Sequence, residues 1–124
     1  MKKIVFLFFG FIFLFGMSPK KFFELQIKSL EISLQGSKDY LKCLERKCTS
    51  KELDLLDNKY YLKQQKLYKS YNISESEAAL YYTRHKKEYD EYYRNNPDIV
   101  EMIDDLQNEI ENVHNQIDSY RGGK

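Results

Sequence analysis

The chain of 124 residues contains no glycine-rich phosphate loop and no Gly-x-Ser-x-Gly motif. Neither the loop that cradles nucleotide phosphates nor the strained turn that presents a serine nucleophile is therefore written in it. Histidine is scarce, with only His85 and His114. Di-iron bundles need two Glu-x-x-His motifs and two further glutamates on facing helices. Glu111 and His114 supply one such motif, and His85 with Glu88 is a reversed copy, so the set is incomplete. No metal, no cofactor and no catalytic residue is expected. Excess charge is missing too. Of 20 Lys and Arg, two sit at the extreme N-terminus, leaving 18 against 19 Asp and Glu. A domain of this balance lacks the basic footprint of a nucleic-acid binder. Proline and glycine are sparse past the opening segment: Pro19, Gly36, Pro97 and Gly122-Gly123. Long uninterrupted helices are what that leaves room for.

The opening is of another kind. Lys2 and Lys3 precede a phenylalanine-rich apolar run from Ile4 to Met17, interrupted only by Gly10 and Gly16. A helix crossing a bilayer needs about 20 apolar residues, whereas the apolar region of an export signal needs about 7–15. Residues 1–18 are thus expected to be a signal peptide or signal anchor, and residues 19–124 an α-helical domain outside the cytoplasm: periplasmic, secreted or tethered. Gly16 and Ser18 have the spacing of a cleavage site. Pro19 would follow the cut directly, which disfavours the peptidase and leaves an uncleaved anchor through residues 4–17 as the alternative. No cysteine lies near the end of the run, which argues against a lipid-modified N-terminus.

Apolar residues recur at helical spacing through the rest of the chain. Phe23, Ile27, Leu30, Leu34, Ser37, Leu41, Leu44 and Cys48 alternate steps of four and three, a heptad seam with one polar slot at Ser37. Gly36 costs about 1 kcal/mol against alanine in a helix interior, so a kink is expected there. Thr49 with Glu52, and Ser74 with Glu77, read as capping boxes, and Ile73 with Ala78 as a hydrophobic staple. Asn96 can cap, with Pro97 at the first helical position and Asp98 complementing the dipole. Ile99, Ile103, Leu106, Ile110, Val113, Ile117 and Tyr120 then give an unbroken heptad seam. The expected helices are 19–47, 50–71, 75–95 and 97–121. The fold class is all-α, a small helical bundle or antiparallel coiled-coil hairpin. Each seam is a narrow stripe that must be buried against another helix, in the same chain or in a second copy, so homo-oligomerisation is a natural supplement.

Charge is unevenly spread. Residues 97–124 hold seven acids and two bases, and residues 19–48 hold seven bases and four acids. The acidic last helix and the basic first one could pair with each other, or one could face a partner. Asp104-Asp105, Glu109 and Glu111 read as a solvated face. The middle of the chain is rich in tyrosine (Tyr60, Tyr61, Tyr68, Tyr71, Tyr81, Tyr82, Tyr89, Tyr92, Tyr93), a residue that buries a ring while its hydroxyl stays wet. That suits a thin bundle first and an interaction surface second.

Cys43 and Cys48 are the only cysteines. In an exported protein an even count suggests a disulfide. Five residues along a regular helix separate Cα atoms by about 8.6 Å, beyond the ~7 Å a disulfide spans. An intrachain bridge therefore requires the helix to end between them, near Arg46. Reduced cysteines or a link between chains are the alternatives.

The same corner carries a resemblance. Cys48-Thr49-Ser50-Lys51-Glu52-Leu53-Asp54-Leu55-Leu56-Asp57 resembles the Cys-x4-Leu-x2-Leu-Asp signature of the small secreted bacterial lysozyme-inhibitor-like family. The match spans ten residues, and Gln64 stands where that family has a tyrosine. The resemblance implies an exported helical protein that binds a lytic enzyme, with Cys48, Leu53, Leu56 and Asp57 as framework. The sequence as a whole points to a non-catalytic helical protein working through protein–protein interaction at the cell envelope. An inhibitor of a lytic enzyme such as lysozyme and a membrane-anchored coiled coil are the alternatives.

Overall fold

In the computed structural model, residues 17–122 are described. The expected export or anchor segment lies, up to residue 16, outside the described residues. Among those described there are five α-helices and no strand: α1 (Pro19–Glu45), α2 (Ser50–Ser70), α3 (Glu75–Arg84), α4 (Lys86–Arg94) and α5 (Pro97–Gly122). No described helix is long and apolar enough to cross a membrane.

Local chemistry sets the boundaries. Ser18 caps α1, its hydroxyl accepting from the Lys21 N–H, with Pro19 in the first turn. Thr49 and Glu52 form a reciprocal capping box at α2, and Ser74 and Glu77 form another at α3. Two helix ends are alike. At the end of α1, Lys47 adopts φ 57°, the Cys48 N–H donates to the Cys43 carbonyl and the Lys47 N–H to the Leu44 carbonyl. At the end of α2, Asn72 adopts φ 55°, the Ile73 N–H donates to Tyr68 and the Asn72 N–H to Lys69. Both are Schellman ends, which satisfy the last carbonyls and turn the chain sharply. Such ends usually add an apolar contact between the third residue from the end and the second beyond it. Tyr68 and Ile73 share a cluster in that way. At the first corner the same two positions are Cys43 and Cys48, joined by a disulfide with Cα atoms 5.2 Å apart.

The long helix α1 is the spine. It runs antiparallel to α2, since Glu24, Ser29 and Asp39 meet Tyr71, Gln64 and Tyr60. It runs parallel to α5: Phe23 packs near Ile99, Ser37 meets His114, and the Glu45 carbonyl accepts from the Tyr120 hydroxyl. The short α3 and α4 close the end where α1 begins. There Phe22 and Phe23 sit under a tyrosine roof. Phe22 stacks on Tyr82 (5.7 Å) and Tyr89 (4.7 Å), and Phe23 stacks on Tyr92 (5.9 Å) and Tyr93 (5.4 Å). The buried Tyr89 donates its hydroxyl to the Met17 carbonyl at 2.8 Å. Towards the other end, Leu34, Val113 and Ile117 form a smaller buried cluster between α1 and α5.

Two expectations change. The single helix expected over 75–95 is two helices, broken at His85 (φ −118°, ψ 26°). Tyr82 and Tyr89, on either side of the break, both face Phe22, and the Tyr82 hydroxyl reaches across it to the Asp90 carboxylate at 3.0 Å. Conversely, α1 passes through Gly36 without a break. Gly36 is a point of close approach, because a Cβ there would lie 2.9 Å from Cγ of the Tyr60 ring.

Candidate functional site

Because α2 and α5 flank α1 on different sides, no described residue covers the strip of α1 between them. A groove of about 740 Å³ runs along it. Its floor comes from α1, including Leu30, Ser33, Gly36 and Tyr40. One wall is Leu56, Asp57, Tyr60, Tyr61 and Gln64 of α2, and the other is Ile110, His114, Ile117 and Asp118 of α5.

The walls are held in different ways. On the α5 side the contact is apolar: Ile103, Val113 and Ile117 are buried, and Leu106 and Ile110 are half-buried against α1. Ile99 is half-buried beside the aromatic end. One ion pair joins the two helices, Lys38–Glu109 at 3.8 Å, with both side chains about half exposed. An exposed pair of this length contributes little, so the charge asymmetry of the two helices is not what docks them. On the α2 side no residue of the helix is fully buried. At its C-terminal end Leu67, Tyr68 and Tyr71 pack on the cluster around buried Leu25, and the rest of the grip is polar. The Gln64 amide donates to the Ser29 carbonyl at 2.9 Å and to the Ser33 hydroxyl at 3.1 Å, and the Ser29 hydroxyl donates back to it at 2.9 Å. The Tyr71 hydroxyl donates to Glu24 at 3.0 Å. The Tyr60 hydroxyl donates a very short bond to Asp39. That bond holds the Asp39 carboxyl below its ordinary range, while burial and the same carboxylate push the Tyr60 phenol up to about 12.

The polar slot at Ser37 is filled from 77 residues away, its hydroxyl lying 2.9 Å from Nε2 of His114. A hydroxyl beside an imidazole has the geometry of a nucleophile and its base. Two partners of that chemistry are missing. Among the described residues no carboxylate bonds the other ring nitrogen of His114. Ser37 also lies deep inside α1, where the neighbouring N–H groups are spent on the helix and cannot steady an oxyanion. The pair closes the seam between α1 and α5 and borders the groove. Arg121, at the far mouth, donates to the Tyr40 hydroxyl and lies 5.2 Å from its ring centroid.

No family model, curated protein or solved structure matches this chain. The groove's chemistry therefore has to be read from its own residues.

Of the residues singled out in the sequence, Leu56 and Asp57 line the groove, Leu53 is half-buried on α2, and Cys48 is bridged to Cys43. The two sulfurs and the Glu52 carboxylate bring donor atoms within 4.8 Å of one another. The sulfurs are bonded to each other and so offer no thiolate, and Glu52 is engaged by Arg46 at 2.9 Å and by the Thr49 cap. Those bonds draw the Glu52 carboxyl below its usual range, Arg46 first. The disulfide is compatible with an oxidising compartment, where such bridges persist.

The outer face of α2 carries an apolar surface that no motif in the sequence marks. Leu55 and Leu62 are 60% and 52% exposed there, and Tyr61, at the groove wall, is 61% exposed. Heptad counting alone cannot separate an exposed stripe from a buried one.

Proposed function

We propose that this protein is exported, works at the cell envelope without catalysing a reaction, and acts by holding a helix of another protein chain in the groove between α2 and α5. The observation that carries the reading is the uncovered strip of α1. It is apolar at Leu30, Leu56, Ile110 and Ile117, polar at Ser33, Gln64 and Asp118, and bounded by a long helix on either side, as a helix-binding groove in a bundle is. The Lys-Lys start with the apolar run over residues 4–17 supports export, and the Cys43–Cys48 bridge fits an oxidising destination. The test is affinity capture of the tagged full chain from its native envelope after mild cross-linking. A wild-type bait should retain a protein chain that a Tyr61→Lys/Asp118→Lys bait, changed only at exposed positions lining the groove and shown by circular dichroism to be folded, loses. Equal retention by both baits would sink the proposal. Mass spectrometry of the mature protein separates a released form, about 17 residues shorter, from a form anchored through residues 4–17.

A second reading is inhibition of a lytic enzyme. It is favoured by one observation: Leu56 and Asp57, which carry part of the resemblance to the secreted lysozyme-inhibitor-like proteins, both line the groove. Turbidity clearance of bacterial cell walls by lysozyme, unaffected by a large excess of this protein, would remove that reading.

A further inference from the structure

The occupant of the groove can be narrowed by matching it against the rest of the molecule. This step rests on the reading of the groove as a helix-binding site. On the outer face of α2, Lys51, Leu55, Lys59, Leu62, Lys66 and Lys69 follow one another in steps of four, four, three, four and three. That spacing places all six on one stripe of the helix. All six are exposed. The last three acids of α2, Glu52, Asp54 and Asp57, lie in its first eight residues, and from Asn58 to Ser74 there is no acid at all. The stripe is therefore a basic amphipathic surface with two leucines one heptad apart.

The groove has the complementary pattern. On its α5 wall Ile110 and Ile117 are one heptad apart. On the same helix, flanking His114, Glu111 and Asp118 stand one heptad apart and are exposed, and Asp118 lines the groove. Seven residues of helix rise about 10.5 Å. The Leu55–Leu62 interval thus equals the Ile110–Ile117 interval, and the Lys59–Lys66 interval equals the Glu111–Asp118 interval. Among the described residues, Lys59, Lys66, Asp104, Glu111 and Asp118 form no ion pair within the chain. Lys59 lies 5.5 Å from the Tyr60 ring centroid and its charge also reaches Asp39, which leaves Lys66, Glu111 and Asp118 as the charges most available to a second chain.

We infer that the groove receives α2 of a second copy of this chain, with Leu55 and Leu62 seated against Ile110 and Ile117 and with Lys59 and Lys66 facing the acidic rim of α5. The stripe and the groove lie on different faces of α2, so one two-fold axis cannot bring both into a single pair. The contact is head-to-tail. It closes as a ring or continues as an open chain of copies, and in either form each α2 becomes the fourth helix of its neighbour's bundle.

The experiment uses full chains of two isotopic compositions, mixed and treated with a zero-length carbodiimide that joins amines to carboxylates in contact. Links between Lys59 or Lys66 and Glu111 or Asp118 should appear in peptide pairs of mixed isotope. Their yield should fall several-fold near 1 M salt, where the Debye length is about 3 Å. Lys59→Glu/Lys66→Glu chains and Glu111→Lys/Asp118→Lys chains should each lose the links when alone. All four positions are exposed, so folding is not at risk, and circular dichroism checks it. Carrying all four changes in one chain restores opposite charges across the contact and should restore the links. Absence of mixed-isotope links in the parent, or their failure to return in the chain carrying all four changes, overturns the self-pairing. Capture of a different envelope protein by a chain that shows no self-links would overturn it as well, while leaving the groove's binding role standing.

Discussion

The two neighbours of α1 are held by different balances of packing and hydrogen bonding. Helix α5 presents a continuous apolar seam and buries Ile103, Val113 and Ile117. Helix α2, nearly as long, buries no residue completely; Leu67, Tyr68 and Tyr71 pack half-buried on the cluster around Leu25, and along the rest of the helix Gln64, Tyr60 and Tyr71 hold it through hydrogen bonds to Ser29, Ser33, Asp39 and Glu24. Burial is non-directional and grows with area, whereas each hydrogen bond only exchanges for one with water. Helix α5 should therefore open with the whole molecule, and α2 should open at lower cost, on its own. Covalent and capping restraint is placed where packing is weak. A disulfide and a capping box lead into α2, and a Schellman end leads out of it. A helix held loosely on one face and exposed on the other is suited to exchange partners.

The comparison can be broken most sharply with charge. Val113→Asp puts a carboxylate into the buried seam and should cost about 3–5 kcal/mol, comparable to the whole stability of a small domain, so the cooperative thermal transition should disappear. Ile110→Asp, in the same seam but half-exposed on the groove, should cost clearly less. Leu55→Asp on the outer face of α2 should stay within about 0.5 kcal/mol of wild type. Equal melting curves for Val113→Asp and Leu55→Asp would mean that the seam is not the core. Next in size is the disulfide. Closing so short a loop restricts the unfolded chain by about 2 kcal/mol. The Schellman bonds and the Thr49 cap survive its loss. Cys43→Ser/Cys48→Ser should accelerate amide exchange in α2 well before α5. Uniform acceleration would show that the two helices open together.

This contrast also explains what the sequence could and could not disclose. Chain-local chemistry was readable: the boxes at Thr49 and Ser74, the proline start at Pro97, and the need for α1 to end near Arg46 if Cys43 and Cys48 were to meet. The α5 seam was readable because apolar periodicity is a property of one helix. The attachment of α2 was not, because Gln64 binds serines more than 30 positions away and carries no periodic signal. The break at His85 was invisible for a similar reason. No Gly or Pro stands there to announce it, and the tyrosines on both sides of it stack on Phe22 and Phe23, which lie far away in the sequence. Gly36 was read as a weak point, and only the opposed Tyr60 ring gives it a purpose. The groove is a consequence of two helices flanking a spine, and no single stretch of sequence encodes it.

Gly36 supplies the next test of the polar side. In an ordinary helix interior, Gly→Ala stabilises by about 1 kcal/mol. Here the new Cβ would lie 2.9 Å from the Tyr60 ring, which cannot swing aside without leaving Asp39. Gly36→Ala should therefore destabilise, by about 1 kcal/mol. The same change in a Tyr60→Ala background should stabilise, a coupling of about 2 kcal/mol between the two sites. Stabilisation of the parent by Gly36→Ala in urea melts would show that Tyr60 does not press on α1.

The smallest effect belongs to the Tyr60–Asp39 bond, and its pH dependence isolates it. The bond lowers the Asp39 pKa from 3.8, so its contribution is present above pH 3.8 and fades as the pH falls through the lower folded value. It also takes part in raising the Tyr60 pKa from 10.0 to about 12, so the contribution is complete below pH 10 and is lost between 10 and 12. Exposure screens the pair, which limits it to under about 1 kcal/mol. Tyr60→Phe keeps the ring over Gly36 and removes only the hydroxyl. The stability gap between parent and Tyr60→Phe, measured by denaturant melts, should form a plateau across neutral pH and narrow at both ends. A gap independent of pH would assign the hold of α2 at this position to the ring and not to the bond, moving that part of α2 closer in kind to α5.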